Sequence, residues 1–114
     1  RVKNMRWYRQ LYYGDLSPRK CKRIRFCVKH NVLLLNTYII TLALSDSEQL
    51  DLIPARELVQ KAYPKKDLSI IGIARDYQDA LSVVERIVQD VLIFDPAINI
   101  RQYFSDTEDK KWFS

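Results

Sequence analysis

The chain has 114 residues, of which 47 % are hydrophobic and 29 % charged, and it carries a net charge of +5. That length supports one core and is too short for two, and the composition is that of a globular chain rather than a disordered one. The apolar run Val32–Leu35 and its successors, broken by Asn36, Thr37 and Thr41, fall far short of a membrane span.

No charged-then-apolar leader is visible, so a cytoplasmic location is expected. Cys21 and Cys27 fit it. Six residues apart on a helix, they lie about 240° apart around its axis, beyond the reach of a disulfide, and read as reduced thiols. The charge is divided. Residues 1–30 hold ten Lys or Arg against one acid, Asp15, whereas residues 31–114 hold nine against thirteen. Such a basic segment attracts phosphates or an acidic partner, or is answered by the acidic half of the chain or by a second copy.

In chain order, Arg1 to Asp15 fits a strand, with Met5, Trp7, Leu11 and Tyr13 alternating except at Arg9, and almost as well a helix face of Met5, Tyr8, Leu11 and Tyr12; its aromatic content and the Gly14-Asp15 turn favour the strand. Ser17-Pro18 starts a helix, the serine capping and the proline in the first turn. Cys21, Ile24 and Val28 form its apolar stripe, and Arg19, Lys20, Lys22, Arg23, Arg25 and Lys29 surround it. Leu33 to Leu44 predicts a second strand. Ser45 to Glu48 has the form of a capping box, so a short helical turn to Leu52 and a helix from Pro54 to Ala62 are expected. Leu68 to Ala74 reads as a central strand, and Asp76 caps a long helix in which Tyr77, Ala80, Leu81, Val84, Ile87, Val88, Val91 and Leu92 recur at helical spacing. After Asp95-Pro96, Ile98 to Phe104 alternates like an edge strand open to pairing with a second copy. Residues 1–104 thus form one domain, and 105–114 a polar flexible tail unless Trp112 and Phe113 dock.

The order β-α-β-α-β-α-β predicts an α/β fold: a small, mainly parallel sheet of three to four strands with helices packed on it. With these elements assigned, the chain resembles a family of short bacterial proteins of uncharacterised function. The resemblance rests on the basic helix, Tyr38 to Ala43, Leu68 to Ala74 with Tyr77, Ala80 and Leu81, and Ile100 to Phe104. It spans roughly Tyr12 to Phe104, implies one compact domain, and carries no catalytic residues.

Gly14 and Gly72 are the only glycines, so no glycine-rich nucleotide loop can be written and no cofactor is expected. His30 is the only histidine; with Cys27 it offers two ligands at most, and a helix-terminal role explains it better than a Cys–His nucleophile pair. In a parallel sheet, Asp15, Asp46 and Asp76 would follow consecutive strands at the edge where ligands gather, with Ser45 and Arg75 beside them. That rim could hold Mg²⁺ for phosphoryl chemistry, although a role at a helix start explains each aspartate better. The basic helix offers Arg19, Lys22, Arg23 and Lys29 to an anionic partner. Joined by Arg6 and Arg9 and by Trp7, Tyr8, Tyr12 and Phe26, it has the composition of a nucleic-acid surface. The leading expectation is a non-catalytic interaction or regulatory module that self-associates, ahead of nucleic-acid binding and of metal-dependent chemistry.

Overall fold

The computed structural model describes residues 5–43, 49–58, 68–97, 99–105 and 112–113. The fold is α/β, built on a mixed sheet. β1 (Arg6–Tyr13) leads to α1 (Pro18–Lys29), β2 (Tyr38–Leu42), β3 (Leu50–Pro54), the short α2 (Ala55–Leu58), β4 (Ser69–Ala74), α3 (Tyr77–Phe94), α4 (Ile100–Ser105) and β5 (Trp112–Phe113). The strand order is β3-β2-β4-β1-β5. β4 is buried along its whole length, as its unbroken apolar run requires.

The sheet is not mainly parallel. Among the described strands β1 and β4 are the only parallel neighbours; β2 is antiparallel to β4 and to β3, and β5 is antiparallel to β1. The reason lies after α1. That helix is about 18 Å long, and residues 30–37 then bring the chain back to the edge where β1 ended, so β2 starts opposite Ala74. The apolar run from Leu33 is therefore a returning loop up to Thr37 and a strand only from Tyr38. Asn31 and Asn36 bend that loop in the left-handed region, at φ 59° and 68°, which asparagine tolerates better than most residues.

Two further elements differ from expectation. Leu50–Pro54 is a strand, hairpinned to β2 with Tyr38 facing Pro54 and Leu42 facing Leu50. Its place at the sheet edge accommodates a proline that cannot donate. The helix after it is described over Ala55–Leu58; residues 59–62 and the capping box Ser45–Glu48 lie outside the described residues. Ile100–Ser105 is a helix rather than an edge strand. Asn99 Oδ1 accepts from the Gln102 amide at 2.7 Å and Gln102 Oε1 accepts from the Asn99 amide at 3.2 Å, a reciprocal cap. The segment expected to pair with a second copy thus has no free strand edge.

Successive strand residues point to opposite faces, and β1 shows what covers each. Trp7 lies under α1, with the Arg25 guanidinium 5.4 Å from its ring. Tyr8 meets Phe104 of α4, ring centroids 5.0 Å apart. Trp112 docks beside it, with the Arg6 guanidinium 4.0 Å above the indole. α3 packs on β4 and β2, on the same side as α4, through Ala80, Val83, Ile87 and Val91. The buried stripe of α3 is thus rotated from the one expected: Val83 is inside, and Tyr77, Leu81 and Leu92 are exposed.

α3 is tied to β1 by Tyr12, whose hydroxyl donates to Asp90 Oδ2 at 2.6 Å. Burial, and next the bond to Asp90, hold this phenol well above the ordinary tyrosine value. In the unfolded chain it ionises near pH 10, so its contribution is complete below that pH and is lost as pH rises above it. Tyr12→Phe is expected to cost about 1 kcal/mol at neutral pH and to flatten the alkaline decline in stability. Urea denaturation of both proteins from neutral pH to roughly pH 11 checks it.

Candidate functional site

Chemistry-bearing side chains gather at the edge where β1 and β4 end. α1 starts there. Ser17 caps it by accepting from the Lys20 amide at 3.2 Å, with Pro18 in the first turn. Cys21, Ile24, Cys27 and Val28 are buried against the body, both thiols free. Burial raises the Cys21 thiol pKa, opposed by the Arg25 guanidinium. Neither thiol sits in the exposed setting of a nucleophile, and His30 is not paired with Cys27: its ring lies 4.3 Å from that of Phe26, centroid to centroid.

Arg19, Lys22, Arg23 and Lys29 are all exposed, as is Lys20. None of the five has a carboxylate partner among the described residues; the two ion pairs found there both belong to Arg75. These five cations are therefore not answered by the described acids of their own chain. Its aromatic complement is smaller than expected. Trp7 and Tyr8 are in the core and Tyr12 is half-buried, which leaves Phe26 outward at 58 % exposure. Arg6 is taken up by Trp112 and by Ser69, whose Oγ accepts from its Nε at 2.9 Å. Exposed Val32, Leu33 and Leu35 follow directly after the helix.

The cations of α1 fall on two sides. Lys22, Arg25 and Lys29 join Trp7 and Phe26 around a depression of about 260 Å³. Lys20 and Arg23 face Arg75 and the loop before β2 across a second cleft, of about 270 Å³.

Asp15, Arg75 and Asp76 do come together, but as a closed network. Arg75 Nη1 lies 2.9 Å from Asp15 Oδ2 and its Nε 3.5 Å from Asp76 Oδ2. Asp76 Oδ1 accepts from the Asp79 amide at 2.9 Å, capping α3 as expected. Asp79 completes the corner: its Oδ2 accepts from the Asp15 and Arg75 amides, each at 2.8 Å. The expected rim rested on β2 running parallel to β4, whereas β2 is antiparallel to it and ends at the opposite edge of the sheet. Ser45 and Asp46, which follow it, lie outside the described residues. Among the described residues no three His, Cys, Asp or Glu side chains are grouped to hold a metal ion, and none of their helices is long and apolar enough to cross a membrane.

Asp79 and the loop Leu34–Thr37 were not expected at the site, and Lys20 was expected only as one of the cations of the basic helix. Asp79 had a visible cue, three residues after the cap Asp76. The loop residues had none, since their place depends on β2 reversing. No protein-family model, curated protein or solved structure matches this chain.

Proposed function

We propose that this domain is a non-catalytic interaction module that holds an acidic protein segment on the outward face of α1. The observation that carries the reading is the set of exposed cations, Arg19, Lys22, Arg23 and Lys29, without carboxylate partners among the described residues. Exposed Phe26, Val32, Leu33 and Leu35 border them, and cations flanked by apolar side chains suit an acidic, amphipathic partner. The likeness to short bacterial proteins and a cytoplasmic setting belong to the same reading, and two free buried thiols agree with a reducing compartment.

A second reading, nucleic-acid binding, is favoured by one feature: the outward Phe26–His30 ring pair beside Lys22 and Lys29, where a base could stack. Both readings are tested by titrating the protein at low salt with a glutamate-rich peptide and with a mixed-sequence RNA. Salt-sensitive binding of the peptide is expected, weakened roughly ten-fold by Lys22→Glu with Lys29→Glu. Tighter binding of the RNA, with a steep salt dependence, would transfer the assignment to nucleic acid. Binding of neither would remove both.

A further inference from the structure

We infer that the cleft between α1 and the loop before β2 is a binding site for a small phosphomonoester with an apolar body. This goes beyond the interaction reading and shares with it only Arg23 and Leu35. β1 and β4 are the parallel neighbours of the sheet, and the chain leaves them in opposite directions: after β1 it enters α1 on the Trp7 face, after β4 it enters α3 on the Tyr8 face. Where two parallel strands send their helices to opposite faces, a crevice opens beyond their carboxyl ends, the place where open α/β sheets bind ligands. The cleft lies there, lined by Leu16 from the end of β1 and Arg75 from the end of β4.

Its lining is chemically one-sided. Lys20, Arg23 and Arg75 contribute three cations, and no carboxylate is among the described lining residues. Lys20 and Arg23 are unpaired among the described residues, while Arg75 is held in place by Asp15 through Nη1 and Asp76 through Nε, leaving Nη2 uncommitted. Donors from two elements, α1 and the β4–α3 turn, approach an anion from different sides. That arrangement suits the tetrahedral oxygens of phosphate better than a planar carboxylate. Ile24, Leu34 and Leu35 supply an apolar wall for the rest of the molecule. About 270 Å³ is just below the roughly 300–1,000 Å³ of drug-sized pockets, so the ligand is a single phosphorylated ring or short chain. Among the described residues no thiol, imidazole or carboxylate lines the cleft, and the site binds without reacting.

The test is an amide NMR titration of the full chain at low ionic strength with phenyl phosphate, compared with inorganic phosphate, benzoate and phenol. Saturable shifts confined to Leu16, Ile24, Leu34, Leu35 and Arg75 are expected for phenyl phosphate, with weaker binding of inorganic phosphate and benzoate and none of phenol. Lys20→Ala with Arg23→Ala, both at exposed positions, should weaken phenyl phosphate by roughly ten-fold or more. Repeated at about 0.15 M salt, where the Debye length is roughly 8 Å, Lys22→Gln with Lys29→Gln should leave it within about two-fold, which separates this site from the acidic-partner face. Absence of saturation up to roughly 10 mM, benzoate binding as tightly as phenyl phosphate, or indifference to the Lys20 and Arg23 changes would each overturn the inference.

Discussion

Phe104→Ala is expected to destabilise the fold by about 3–5 kcal/mol, a large share of the roughly 5–15 kcal/mol available to a domain. Phe104 is fully buried. Its ring stands edge-on to Tyr8 and Tyr103, each at 5.0 Å between centroids, and approaches Tyr12 at 6.5 Å. Truncation removes the ring and leaves a hole bounded by side chains of β1 and α4, which are themselves anchored and cannot collapse freely. α4 is held at its start by the Asn99–Gln102 cap and by Gln49, whose Oε1 accepts from the Ile100 amide at 2.8 Å. Arg101 donates to the carbonyl of Ala43. Gln102→Ala, at an exposed position, should cost only about 0.5–1 kcal/mol through the lost cap. Thermal and urea unfolding followed by circular dichroism read both changes. An edge strand would have placed Gln102 and Phe104 on one face with similar costs; a wide gap between them is the signature of the helix.

That contrast shows what was legible and what was not. β1, α1, β4 and α3 were legible because each is written in local chemistry: the Ser17-Pro18 start, the continuous apolar run into Ala74, the Asp76 cap. α4 was hidden by a coincidence of spacing. Ile100 and Phe104 are four apart, which satisfies a two-residue alternation and a helical turn alike, and the Asn99–Gln102 cap was the clue that separated them. Leu50–Pro54 was hidden by its proline, whose meaning depends on the strand being at the sheet edge. The candidate site suffered most. Asp15, Arg75 and Asp76 were placed together because β1 and β4 are parallel, but the aspartate following β2 was assigned to the same edge on an alternation that the return loop of residues 30–37 breaks.

Gly14→Ala is expected to cost about 2 kcal/mol, and the cost should vanish when Asp79 is also replaced. Gly14 donates its amide to the Ile73 carbonyl at 2.8 Å, and its backbone is not in the left-handed region, so alanine meets no backbone strain there. The obstacle is a side chain. A Cβ on Gly14 would lie 1.9 Å from Asp79 Oδ2 and 2.5 Å from its Cγ. The carboxylate must leave, and with it go the acceptor of the Asp15 and Arg75 amides and the link between the β1–α1 corner and the start of α3. Two charge-assisted bonds at a partly solvated corner set the size of the loss. Asp79→Ala should cost a similar amount by the same route. In the double variant the methyl group has nothing left to displace, and alanine restricts the unfolded chain, a gain of roughly 0.4–1 kcal/mol. The double variant should therefore equal or slightly exceed Asp79→Ala in stability, a coupling as large as the Gly14→Ala cost itself. Urea denaturation of the four proteins measures the cycle. Additive costs would show that Gly14 is constrained by something other than Asp79 and that Asp79 is not what fixes the backbone at Arg75, one wall of the cationic cleft.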